Sequence, residues 1–187
     1  MKKLLFLLLV GMSLMQCTHA QDGTEGTGGG FDKSKLFFGG NLGLAFGYST
    51  IINVAPLVGY RFTDHFAAGV GLNYSYYSYD DGGYNSFKQT YLGMSLFGRV
   101  YPMQQFFIQV QPELNYMWGN GYYPQVDPYQ NSKVNQFVPS LLLGGGAAIP
   151  TGGNGALTIS VMYDVIQNVY SPYYHQAVYG FGYTVGF

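Results

Sequence analysis

The chain has 187 residues, a length that suits one domain. Charged side chains make up only 9% of it, while 48% is hydrophobic and the formal net charge is −1. That balance excludes a disordered chain, offers no basic patch for nucleic acid, and leaves too few charges for an ordinary wet surface, where about 25% is usual.

Residues 1–20, MKKLLFLLLVGMSLMQCTHA, read as a cleaved signal peptide. Lys2 and Lys3 give a basic start, Leu4–Val10 an apolar run, and Thr18-His19-Ala20 an ending of the kind a signal peptidase cuts. The run is short for a membrane-spanning helix. Cleavage after Ala20 removes Lys2, Lys3 and the single cysteine, Cys17, leaving six basic side chains against nine acidic ones and no disulfide. A competing reading makes Cys17 a lipid-anchored first residue, although Gln16 stands where a small residue is wanted. Residues 21–35, QDGTEGTGGGFDKSK, read as a flexible Gly-rich leader.

From residue 36 to 187 the chain alternates with period two in eight segments, which predicts strands. The first, 36–48, sets Phe38, Leu42, Leu44, Phe46 and Tyr48 against Gly39, Asn41, Gly43, Ala45 and Gly47. The second, 51–62, sets Val54, Val58, Tyr60 and Phe62 against Asn53, Gly59 and Arg61; the third, 65–77, sets Phe66, Val70, Leu72 and Tyr74 against Gly69, Gly71 and Asn73. In the fourth, 88–101, Leu92, Met94, Leu96 and Val100 oppose Gln89, Ser95 and Arg99; in the fifth, 105–118, Phe106, Ile108, Val110, Leu114, Tyr116 and Trp118 oppose Gln109, Gln111, Glu113 and Asn115. The sixth, 135–149, opposes Phe137, Leu141 and Leu143 to Gln136, Ser140 and Gly144; the seventh, 155–165, opposes Leu157, Ile159, Val161 and Tyr163 to Thr158, Ser160 and Asp164. The eighth, 175–187, opposes Tyr179, Phe181, Tyr183, Val185 and Phe187 to Gly180, Gly182 and Thr184.

The connections alternate as well: short after the second, fourth and sixth segments, longer at 78–87, 119–134 and 166–174. Strands of this length, joined by short turns at one end and long loops at the other, fit an eight-stranded antiparallel up-and-down transmembrane β-barrel. The charges decide which face is which. Arg61, Arg99, Glu113 and Asp164 all fall on the Gly/Asn/Ser/Gln face, and none falls on the apolar face. A water-facing polar face would carry many Lys and Glu. A crowded barrel interior wants small residues and a few compensated charges. The apolar face then meets lipid, and the four inward charges form a lumen charge network.

Aromatics gather near the strand ends, as in the girdles of membrane barrels. Tyr48, Tyr74, Tyr76, Tyr116 and Trp118 make one belt, and Tyr60, Phe62, Phe106 and Phe187 the other. Pro56, Pro112 and Pro139 lie inside predicted strands, where each removes a ladder donor, so bulges or ladder breaks are expected there.

The strand–turn–strand unit PLVGYRFTDHFAAGVGLNY (56–74) and the ending YGFGYTVGF resemble the small OmpA/OmpX-type outer-membrane barrels of Gram-negative bacteria. The resemblance implies a bacterial outer-membrane location with both termini periplasmic. It further implies Tyr183, Val185 and Phe187 as a C-terminal assembly signal, read by the barrel-insertion (Bam) machinery. Outer-membrane lipid and lipopolysaccharide would surround such a barrel.

No catalytic, cofactor-binding or metal-binding set is expected. Beyond the signal peptide only His65 and His175 remain, without a paired nucleophile or ligand spacing. The expected role is structural or surface-interacting, with a candidate extracellular ligand at the Tyr-rich loops 78–87, 119–134 and 166–174. A narrow porin-like channel is the alternative.

Overall fold

The computed structural model describes residues 32–45, 49–80, 86–122 and 131–186. Eight strands follow in order: β1 (Leu36–Ala45), β2 (Ser49–Thr63), β3 (Phe66–Asp80), β4 (Ser86–Met103), β5 (Phe106–Tyr122), β6 (Asn131–Gly152), β7 (Gly155–Asp164) and β8 (Ala177–Val185). Each pairs antiparallel with the next, and β8 pairs back on β1, so the sheet closes into an up-and-down barrel. The signal-peptide reading, Cys17, the leader through Phe31, Tyr48 and Phe187 lie outside the described residues. Asp32–Lys35, expected to belong to the flexible leader, form a short 3-10 turn in which Asp32 Oδ1 accepts from Ser34 N at 3.0 Å and Ser34 Oγ at 2.6 Å.

Several strand ends differ from the alternation. Asp80 pairs with Ser86 and Tyr122 with Asn131, so 78–80, 86–87, 119–122 and 131–134 are ladder rather than loop. Backbone pairing needs no apolar face, and the polar Tyr/Asn/Ser/Gly composition of these stretches hid it. Strand β8 starts at Ala177 rather than 175, because His175 takes a φ of 54°, which no strand residue adopts.

The two faces separate as the charges require. On the outside Leu42, Met94, Leu96 and Phe181 are 60% exposed or more, while Glu113 and Asp164 on the inside are at most 5% exposed. An ordinary water-soluble barrel has the reverse arrangement.

The three prolines sit where the ladder is interrupted. Pairing of β2 with β3 skips from Val54↔Tyr74 to Leu57↔Gly71, beside Pro56. Pairing of β4 with β5 skips from Ser95↔Glu113 to Gly98↔Val110, beside Pro112. Pro139 lies beyond Leu142↔Asp164, where the β6–β7 ladder stops. The register resumes unshifted after both gaps. Among the described residues, true register shifts occur near the three short turns, at Arg61/Thr63, Val100/Met103 and Pro150/Gly152.

The interior is not polar throughout. Phe37, Phe97, Tyr101 and Phe107 point inward at the short-turn end, with Ala67, Ala148 and Ala156 packed among them. Each of three rings is matched by a glycine across its ladder: Phe37 by Gly59, Phe97 by Gly69 and Phe107 by Gly146. A Cβ at Gly69 or Gly146 would stand 2.7 Å from the facing ring, and at Gly59 it would overlap the Phe37 ring. Large and small residues thus alternate around the wall to fill a narrow barrel.

Candidate functional site

The lumen is built in three layers. The lowest is the aromatic layer at the short-turn end, with ring centroids 6.2 Å apart for Phe37–Phe97 and 5.8 Å for Tyr101–Phe107. Arg99 stands on it: its Cζ lies 5.0 Å from the Phe97 ring centre and 4.6 Å from that of Phe107, cation–π contacts that partly offset the loss of water. Arg61 lies at the same end, 5.5 Å over the ring of Tyr101.

The middle layer is polar and runs up β5, because alternate residues of a strand share a face. Arg99 Nε donates to Gln109 Oε1 at 2.5 Å, and Gln109 Nε2 donates in turn to Gln111 Oε1. Gln111 Nε2 donates to Glu113 Oε1 at 2.6 Å, and Asn115 Nδ2 to Glu113 Oε2 at 3.1 Å. Arg99 and Glu113 are therefore joined through two glutamines rather than paired directly. The chain of amides spreads the two charges across the lumen while leaving each hydrogen-bonded. Asn73 also borders the Glu113 carboxylate. The buried Asn73 side chain adds to the polar shell around that carboxylate.

The upper layer belongs to the long-loop end. Tyr91, Met117 and Val138 are buried together, with Tyr170 packed on them. Tyr170 comes from the segment after β7, which folds back into the barrel mouth. Asp164 fixes that fold: Oδ1 accepts from Leu141 N and Ile166 N, both at 3.1 Å, and Oδ2 accepts from Ser171 Oγ at 2.8 Å. Ser171 Oγ also meets Ser140 Oγ at 3.1 Å, and Tyr91 Oη donates to Gln89 Oε1 at 3.0 Å with the Tyr170 carbonyl 3.4 Å away. The phenol of Tyr173 is directed down at Glu113. Between the layers lies a cavity of about 200 Å³, bordered by Asn53, Asn73, Arg99, Glu113 and Tyr173.

Of the four charges placed inside by the sequence, the structure links Arg99 with Glu113, sets Arg61 among the aromatics and uses Asp164 as the anchor of the 166–174 loop. Tyr60 and Phe62 have ring centroids 5.1 Å apart and Phe62 and Phe66 5.6 Å, which makes one aromatic belt. Tyr116 packs with Trp118 at 5.9 Å and with Phe137 at 5.0 Å in the other. Phe106, Tyr183 and Val185 all point outward. Sequence reasoning missed the inward Phe37, Phe97 and Phe107; the available signal was a glycine opposite each.

No protein-family model matches the chain, and neither does any curated protein. The geometry above therefore carries the functional reading. Among the described residues no helix is long and apolar enough to cross a membrane, which says nothing about crossing by strands.

Proposed function

We propose that this chain is an integral outer-membrane β-barrel protein with a structural or surface-interaction role and a filled lumen. The single observation that carries the reading is the inversion of its faces: large apolar side chains exposed around the outer wall while Arg99, Glu113, Asn115 and Asp164 are buried inside. The sheet closes on itself through the β1–β8 ladder, and hydrocarbon favours a closed sheet over an open-edged one. The aromatic belts at the two ends agree with a bilayer between them.

In this reading the chain is of the small OmpA/OmpX type in architecture. Both termini are periplasmic, and the connections within 78–87, 119–134 and 166–174 face outside, beside lipopolysaccharide. Export uses residues 1–20, and insertion uses the Bam machinery through the C-terminal strand. The surface role belongs to the Tyr-rich loops.

The second reading, a narrow channel, is favoured by the polar cavity bordered by Arg99 and Glu113. Planar-bilayer recording of the refolded chain separates the two, with a heat-dependent gel shift to certify the folded barrel. A folded barrel that gives no current steps supports the filled scaffold. Reproducible discrete steps overturn it in favour of the channel.

A further inference from the structure

The β1–β8 ladder is the shortest of the eight. It consists of Phe38↔Val185, Gly39↔Thr184, Gly40↔Tyr183 and Asn41↔Gly182. Beyond it Ala177–Phe181 pair with β7 but with no described residue of β1. The side chain of Asn41 lies across the point where the seam parts. A Cβ at Gly182 would overlap Asn41 Oδ1, and one at Gly180 would stand 3.3 Å from Asn41 Nδ2. Leu42, Tyr179 and Phe181 form the rim; they point outward at 61%, 69% and 60% exposure. These outward residues border the same cavity as Asn73, Arg99 and Glu113 inside.

We propose that the cavity binds the zwitterionic headgroup of a membrane phospholipid, admitted sideways through the β1–β8 seam. The inference rests on the membrane reading above. Three observations support it. Aromatic rings stand below the cavity and the Asp164-anchored loop packs above it, while the outward Leu42, Tyr179 and Phe181 border it from the side. The lining carries one cation, Arg99, and one anion, Glu113, which match a phosphate and an ammonium on one headgroup. The β8 edge over Val178–Phe181 has no ladder partner among the described residues of β1, a costly state in hydrocarbon that polar headgroup atoms relieve. The acyl chains stay outside, against Leu42 and Phe181.

The test uses vesicles of phosphatidylethanolamine and phosphatidylglycerol containing a phosphatidylethanolamine with a photoreactive diazirine on its headgroup. The full chain is refolded into them, floated, irradiated and mapped by peptide mass spectrometry. The proposal expects adducts on the inward residues Asn53, Asn73 and Tyr173. It also expects their loss in Leu42→Cys/Phe181→Cys when oxidised across the seam, and their return on reduction. Adducts confined to the outward belts in a chain that floats overturn the proposal and leave the membrane reading intact. A chain that does not float overturns both. Inward adducts that persist in the oxidised variant overturn the seam as the entry. Should that variant fail to fold, adduct mapping on the unaltered chain still decides occupancy: inward adducts uphold it and their absence overturns it.

Discussion

The ring of Phe97 lies over Gly69, its partner across the β3–β4 ladder, and a Cβ at position 69 would stand 2.7 Å from that ring. The same relationship joins Phe107 to Gly146 and Phe37 to Gly59. The aromatic layer therefore exists because the facing wall has been thinned to backbone.

Gly69→Val should thus overpack the lumen and destabilise the barrel by about 1–3 kcal/mol. Urea unfolding in lipid vesicles, followed by heat-dependent gel mobility, measures it. Gly98→Ala is the control, because a Cβ there meets nothing within 4 Å. Equal midpoints for the two variants would contradict the packing account.

Glu113→Ala removes the acceptor of both Gln111 Nε2 and Asn115 Nδ2. Each buried donor left unmatched costs about 1–3 kcal/mol, so the unfolding midpoint should fall. Glu113→Gln keeps one acceptor oxygen and should fall less. An unchanged midpoint in Glu113→Ala would show that the amide chain contributes nothing to stability.

How much of this was legible in the sequence depends on the residue. Leu92, Met94 and Leu96 alternate with Ser95 so regularly that strand and face follow from period two alone. The prolines likewise announced the ladder gaps beside Pro56 and Pro112. The inward Phe97 and Phe107 did not follow, because a large aromatic on the small-residue face becomes sensible only once its cross-ladder glycine is known. The role of Asp164 was hidden for a similar reason. Its partners are Leu141, Ile166 and Ser171, and two of them lie in or beyond a loop whose path no periodicity describes.

Ser171→Ala removes a hydroxyl that bridges Asp164 and Ser140. A hydrogen bond to a charged group is worth about 1.5–3 kcal/mol, and the loss should fall on the loop rather than the barrel. Amide hydrogen exchange should quicken across residues 166–176 while the global unfolding midpoint holds. Unchanged exchange there would remove Ser171 from the latch.

Leu96 is 60% exposed on the outer face. In a bilayer, Leu96→Arg should destabilise the barrel by about 2–4 kcal/mol if the site lies at mid-depth. On a water-facing surface the same change is usually within about 0.5 kcal/mol. Unfolding titrations in vesicles distinguish these values, and a neutral result would place the β4 outer face in water.

Trp118 is the only tryptophan in the chain and faces outward in the belt with Tyr116 and Phe137. Its fluorescence in vesicles whose acyl chains carry bromine reports whether the outer face meets lipid, because bromine quenches only on contact. A barrel that spans the bilayer should float with the vesicles and show Trp118 emission strongly quenched relative to unbrominated lipid. A chain that stays in the aqueous phase, with Trp118 emission indifferent to bromine, would contradict the membrane reading.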